Sequence, residues 1–286
     1  LTESAKVSGG EKGYSTSNYN DGIALRLNFP DTFADSVKSA GIDMLTLANN
    51  HVLDMDIDGA MRTLDILDEK AIQHVGSYRN ADEKNKVKIV NLKGIKIALL
   101  AYTYPSNYYS EDYFFNTNTS LTSVIVDRRS LFFDAAVIEV KKDFMRARAE
   151  KPDLIVVLPH MGTQFIHTTD KFQETWNEIF IGEGADIILG DHSHAVQPVE
   201  FRTSRQGDSV KHAVIVNCPG NFVNSYIEHN GDATSIVKIY IDSIDKSIIC
   251  AGIIPMMTCA PVNAQHQAIP VHDILCDDSL AGKIGL

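Results

Sequence analysis

The 286-residue sequence is short of positive charge: 26 Lys and Arg stand against 37 Asp and Glu, a formal net charge of −11. That balance excludes the basic footprint of a general nucleic-acid binder. A polyanionic substrate then needs metal ions to neutralise its site locally. No apolar run approaches the roughly 18–20 residues of a membrane span. No Gly-rich phosphate loop is present, which discounts a nicotinamide or nucleotide binder. The four cysteines (Cys218, Cys250, Cys259, Cys276) fall in the last quarter without CxxC spacing and read as free thiols. No signal peptide is visible, and the chain opens at Leu1 without a Met, as a trimmed sequence does.

What is present is a soluble-protein composition, 44% hydrophobic and 22% charged, long enough for a full core. Residues 1–28 are rich in Ser, Gly, Asn and Lys with little periodicity, and read as an exposed arm or loop. From Pro30 the pattern becomes helix–strand alternation. A helix opening at Pro30-Asp31-Thr32 closes at Gly41, and a strand follows over 42–47. A second helix over about 59–70 leads to a short strand near 74–76. Two alternating runs, 87–92 and 95–101, join through Lys93-Gly94 as a hairpin. The aromatic, Asn-rich stretch 102–129 reads as a surface insertion. A long helix over about 133–149 precedes a strand at 154–158, and a helix over about 170–183 ends at Gly184 before a strand at 187–189. Strands and turns dominate thereafter, at 196–201, 213–217, 235–241 and 248–254. The domain organisation expected is an arm (1–28), one α/β domain (29–258) and an unassigned tail (259–286). In that domain the strands 42–47, 154–158 and 187–189 are expected to be neighbours in one central sheet.

Three of these strand-like runs deliver polar side chains just past their ends: Asn49-Asn50-His51, Pro159-His160-Met161-Gly162 and Gly190-Asp191-His192-Ser193-His194. In α/β folds that edge is where ligand sites are built. Imidazole nitrogens with amide and carboxylate oxygens suit Mn, Fe or Zn better than Ca or Mg. Asn50, His160, His192 and His194 are the candidate ligands of a metal pair, and His51 is placed to protonate a leaving oxygen. Each motif also has a plainer reading. His160 alone fits a hydrogen-bonded or capping residue, the His-x-His fits a turn, and Asn49-Asn50 fits an Asx turn. Asp54, Asp56 and Asp58 read as solvated charge with a helix cap. Asp54 is the exception, near enough to His51 to orient its imidazole. Asp191 fits either a carboxylate behind the ligands or a turn.

At these residues the sequence resembles the bacterial capsule-synthesis family CapA, the poly-γ-glutamate synthesis proteins, which is itself similar to the calcineurin-like metallophosphoesterases. The likeness runs through Phe33-Ala34-Asp35-Ser36-Val37, Gly41-Ile42-Asp43, Leu47-Ala48-Asn49-Asn50-His51 with Asp54, and His74-Val75-Gly76. It continues through Leu158-Pro159-His160-Met161-Gly162, Gly184-Ala185-Asp186, Gly190-Asp191-His192-Ser193-His194 and Pro219-Gly220-Asn221-Phe222-Val223. The resemblance implies a layered α/β fold of the metallophosphoesterase type, with mixed central sheets flanked by helices. It implies two divalent metal ions held through Asn50, His160, His192 and His194, with His51 as the catalytic histidine; Asp54 joins the catalytic pair from its place beside His51. Two departures stand out. The Gly-Asn-His-Asp/Glu signature is Asn49-Asn50-His51-Val52 here, and an early strand ending in Gly-Asp and a later Asn-Leu-Glu-like segment are missing. Both would precede Leu1, so the expectation is a fragment without its first strands and without the carboxylates expected to bridge or ligate the metals, which leaves metal occupancy of this chain open.

The functional expectation is a protein of cell-surface polymer biosynthesis, of the poly-γ-glutamate capsule type, with a metal-dependent phosphoesterase-like hydrolase site. The alternative is a non-catalytic binding or assembly component of a polyglutamate synthesis and export complex. The implied partners are the capsule polymer or its precursor and membrane synthetase or export subunits, with no nucleic acid. The implied location is the outer face of the bacterial membrane or the cell surface, with the anchor outside this chain.

Overall fold

The structure is a computed structural model that describes residues 27–117, 120–206, 209–223, 231–259 and 266–276. The expected arm therefore lies outside the described residues up to position 26, as do positions 260–265 and 277–286 of the tail. The elements in order are α1 (Thr32–Ser39), β1 (Met44–Thr46), α2 (Asp56–Glu69), β2 (Gln73–Val75), α3 (Ala81–Asn85), β3 (Lys88–Leu92) and β4 (Ile95–Thr103). A π-turn (Tyr113–Thr117), α4 (Phe133–Ala149), β5 (Leu154–His160), α5 (Lys171–Glu183) and β6 (Ile187–Leu189) follow. The chain continues through β7 (Val199–Gln206), β8 (Ser209–Val216), β9 (Ala233–Ile241), β10 (Ile248–Cys259), β11 (Gln267–Pro270) and α6 (Val271–Cys276). Among the described residues no helix is long and apolar enough to cross a membrane.

This is a mixed α/β architecture whose largest sheet has the order β3-β4-β5-β6-β8-β7. Strands β5, β6 and β8 run parallel, and β7 returns antiparallel to β8. Helix α5 makes the crossover between β5 and β6, the usual way to join parallel neighbours. Asp170 and Gln173 cap it reciprocally, and it ends at Gly184, whose φ of +101° is a left-handed stop. Trp176 and Phe180 are its fully buried anchors. A separate antiparallel sheet has the order β11-β10-β9 and takes in the part of the tail at 267–270. The four cysteines are free thiols.

The chain forms two compact units. The first holds the described residues up to Val90, with Ala98–Pro152 and Leu158–His160; the second holds Asn91–Ile97, Asp153–Val157 and the described residues from Met161 onward.

Two expectations need correction. The strand at 42–47 does not join 154–158 and 187–189: β1 pairs in parallel with β2 in a two-stranded sheet of its own. Helix α2 links them as a short βαβ unit, and Leu47 N–H continues the pairing onto Val75 O at 2.8 Å. Among the described residues β2 is thus the strand that β1 pairs with. The stretch 102–129 is not a surface insertion either. Tyr102, Thr103, Phe114, Leu121, Ile125 and Val126 are all buried. Thr103 N–H donates to Ser123 O and Ile125 N–H to Thr103 O, so this irregular backbone is bound to the end of β4. It carries no period because it packs through a π-turn and single bridges rather than a regular element.

Candidate functional site

In the first unit, β1 stops at Thr46, and Leu47 and Ala48 carry the chain inward to Asn49. Asn49 folds the loop on itself: its Oδ1 accepts from His51 N–H at 2.9 Å, and its carbonyl accepts from Val52 N–H at 3.2 Å. This is the Asx turn that an Asn after a strand favours. Val52 and Leu53 then anchor the turn in a cluster with Ala60, Phe114 and Leu121. Apolar anchoring on both sides fixes which way the intervening polar side chains face.

Asp54 is wholly buried, and its Oδ2 accepts from Leu27 N–H and from His51 Nδ1, each at 2.7 Å. A carboxylate beside Nδ1 selects the tautomer with its proton there, which leaves Nε2 for chemistry. The other oxygen, Oδ1, is buried and has no hydrogen-bond partner among the described residues. Asn50 is also buried, and its Oδ1 accepts from His160 Nε2 at 2.8 Å. On its other side Asn50 Nδ2 donates to Asn107 Oδ1 at 3.0 Å, and the Asn50 carbonyl accepts from Asn107 N–H at the same distance. Tyr104 lies parallel to the His160 ring, 6.2 Å between centroids. Burial pushes the Tyr104 hydroxyl up to about 12, against the opposing pull of its hydrogen bond with Asn50.

In the second unit, Gly190 follows β6, and its N–H donates to Val216 O at 2.7 Å. A Cβ at this position would lie 2.4 Å from the Asn217 carbonyl oxygen, so only glycine fits. The next residues bend sharply, with His192 at φ +97° and His194 at φ +60°. Two non-glycine residues in left-handed conformations within three positions are a strain that clusters at functional sites. His192 is buried, and the rings of His192 and His194 are 6.1 Å apart at 52°. Phe165, itself at φ +62°, stacks on His194 at 5.1 Å, and His194 Nδ1 meets Asn221 Oδ1 at 2.7 Å. That bond again leaves Nε2 of the imidazole outward. Beneath the loop, Ser193 Oγ donates to Ala195 O, and burial pushes the Cys218 thiol up.

A buried amide network supports this second loop. Gln173 Nε2 donates to Gln197 Oε1 at 2.7 Å, and Gln197 donates to the carbonyls of Ile166 and Thr168. Asn177 donates to Asn217, which in turn donates to Pro198 O and Glu200. The sequence singled out neither Gln173, Asn177 and Asn217 nor Asn107 and Phe165, and Tyr104 stood out only as one of several tyrosines able to rim a groove. Their only signal was polar or aromatic character in segments without period.

The structure thus brings Asn50 to His160 and His51 to Asp54 in the first unit, and His192 to His194 in the second. Among the described residues no three His, Cys, Asp or Glu side chains are grouped to hold a metal ion. The donors present are imidazole nitrogens and amide oxygens in pairs, with one buried carboxylate oxygen left unpaired. Asn50 Oδ1 and His160 Nε2 lie 2.8 Å apart, hydrogen-bonded to each other. Adjacent ligands with metal bonds of about 2.0–2.2 Å stand roughly 3 Å apart, so the spacing of this pair suits a shared divalent ion that would take the place of the Nε2 proton.

Comparison with known proteins adds the family. The chain is 27% identical over 215 residues to the capsule biosynthesis protein CapA of Bacillus anthracis, covering 74% of this chain and 46% of that protein. It is 27% identical over 188 residues to the PGA biosynthesis protein CapA of Bacillus subtilis (strain 168), covering 65% and 44% respectively. The chain thus spans less than half the length of these relatives. A solved structure, the Termus thermophilus sulfate thiohydrolase SoxB in complex with glycerol, aligns at a TM-score of 0.44 and 16% identity, over 84% of this chain and 35% of that one. Residues 7–226, most of the chain, match the family described as Bacterial capsule synthesis protein PGA_cap, and the chain belongs to that family.

Proposed function

We propose that this chain serves the synthesis of a bacterial capsule polymer of the poly-γ-glutamate type and carries a divalent-metal-dependent, phosphoesterase-like hydrolase site. Family membership and the names of the two relatives support the process. The observation that carries the chemistry is the Asn50 Oδ1–His160 Nε2 pair, an amide oxygen and an imidazole nitrogen from separate segments held 2.8 Å apart in one hydrogen bond. In this reading Asn50 and His160 are ligands in the first unit, and His192 and His194 are ligands in the second, for two ions of the Mn, Fe or Zn class. Bound ions would lower the pKa of a water and neutralise charge developing on a phosphoryl oxygen.

The chain's own residues do the rest. Asp54 holds the Nδ1 proton of His51 and stabilises the imidazolium, so that Nε2–H can be given to a leaving oxygen. Asn49 fixes the backbone from which His51 projects. The partners are the polymer or its precursor and membrane synthetase or export subunits, and the site of action is the outer face of the membrane or the cell surface. The domain assignment that goes with this reading is a single family domain over 29–258.

Metal uptake tests the ligand set. His160→Ala and His192→Ala are each expected to weaken Mn²⁺ binding at least tenfold in chelator competition, with the circular dichroism spectrum unchanged. Wild-type binding by both variants removes these residues from the ligand set.

A further inference from the structure

Asn107 lies 57 positions from Asn50, in the segment after β4, and meets it twice. Its backbone N–H donates to the Asn50 carbonyl, and its Oδ1 accepts from Asn50 Nδ2, both at 3.0 Å. The second contact has a chemical consequence. A primary amide is nearly symmetric in shape, so its environment decides whether oxygen or nitrogen faces a given neighbour. For Asn50 to offer oxygen toward His160, a group on the opposite side must accept from nitrogen. The Tyr104 hydroxyl, which also bonds Asn50, both donates and accepts and so serves either orientation. The Asn107 carbonyl oxygen only accepts.

Asn107's own orientation follows from His51. Its Nδ2 is 3.5 Å from His51 Nδ1, which is already committed to Asp54 at 2.7 Å. That Nδ2 contact is too long to compete with the short bond to a carboxylate. The strong interaction of the Asn107 side chain is therefore the one through Oδ1 to Asn50.

We propose that Asn107 is a positioning residue: it locks the Asn50 side-chain amide with Oδ1 toward His160 Nε2, and so presets the amide oxygen and the spacing of the pair for a divalent cation, which would displace the Nε2 proton and leave the neutral ring protonated on Nδ1. This rests on the reading of Asn50 and His160 as ligands, but the lock itself exists without metal. It is argued to act through Asn50; its Nδ2 also approaches His51 Nδ1, at 3.5 Å.

The test uses two variants of the whole chain and two readouts. Asn107→Ala removes the acceptor. Asn107→Asp replaces the amide with a group that can only accept, so it keeps the lock. The first readout is the ¹⁵N signature of the His160 ring in metal-free protein at fixed pH. Wild type and Asn107→Asp are expected to show the tautomer with the proton on Nε2, and Asn107→Ala a mixture. The second is Mn²⁺ affinity by calorimetry, expected to fall about tenfold in Asn107→Ala and to hold or rise in Asn107→Asp, within the range seen when a group supporting a metal ligand is lost. A tautomer shift in Asn107→Ala together with no Mn²⁺ uptake by wild type upholds the lock and overturns the metal reading. An unchanged His160 signature in Asn107→Ala overturns the lock, whatever the metal does. Because Asn107 is exposed and keeps its backbone bond to Asn50 in both variants, neither is expected to unfold.

Discussion

The loops after β1 and after β6 both present imidazoles, and they hold them differently. After β1, His51 is absent from the residues with positive φ and is aimed by side chains: Asn49 folds the turn and the buried Asp54 takes Nδ1. After β6, His192 and His194 are aimed by the backbone, bent into left-handed conformations and wedged beside a glycine that touches the neighbouring strand's end. The first arrangement draws on a charge-assisted hydrogen bond of about 1.5–3 kcal/mol. The second stores strain of order 1–3 kcal/mol per residue, held down by the buried amides of Gln173, Gln197, Asn177 and Asn217. A polar turn can be reached by local sequence alone. A strained one needs a rigid surround, and here that surround is the β6–β8 pairing and helix α5.

The contrast predicts different fragilities. In stability the largest effect is expected from Gly190→Ala, whose methyl would sit 2.4 Å from the Asn217 carbonyl oxygen. Separating those backbones is expected to cost about 3 kcal/mol, the upper part of the overpacking range, read by urea unfolding. A midpoint equal to wild type would show that the loop yields and that the strain is not held from outside. Asp54→Ala comes next. It strips Leu27 N–H and His51 Nδ1 of their acceptor and is expected to cost about 1–3 kcal/mol in the same assay. The smallest effect is a reversal of sign. At His194, with φ +60°, the Gly variant is expected to be more stable than the Ala variant by about 1 kcal/mol. At His51 the Ala variant is expected to be the more stable by about 0.4–1 kcal/mol. The same preference at both positions would erase the distinction between the two loops.

The two loops were also unequally legible. Helices such as α4 and α5 and the strands β3 to β6 follow from the period of their apolar residues, and the Lys93-Gly94 hairpin from its turn chemistry. Asn49-Asn50-His51 announces a turn because asparagine bonds its own backbone, and Asp54 is within one turn of His51. Nothing local announces that β1 pairs with β2, since a three-residue strand carries too few side chains to encode its partner. The burial of the 102–129 stretch was equally hidden, because Phe114, Leu121 and Ile125 pack from irregular backbone. Asn107 meets the site from 56 positions away and gives no signal at short range. The left-handed φ of His192 and His194 was invisible too: any non-glycine residue adopts it rarely, histidine included, and only Gly190 hinted at tight packing.

The central claim, a hydrolase in which His51 protonates the leaving group without holding metal, is tested most directly by one paired measurement. Wild type and His51→Ala are loaded with Mn²⁺, their metal content is measured, and their turnover of an aryl phosphoester is compared. The account predicts equal metal content and a turnover about 10²–10⁴-fold lower in His51→Ala, the usual contribution of a general acid. Metal-loaded wild type with no turnover, or His51→Ala with turnover equal to wild type, would contradict it.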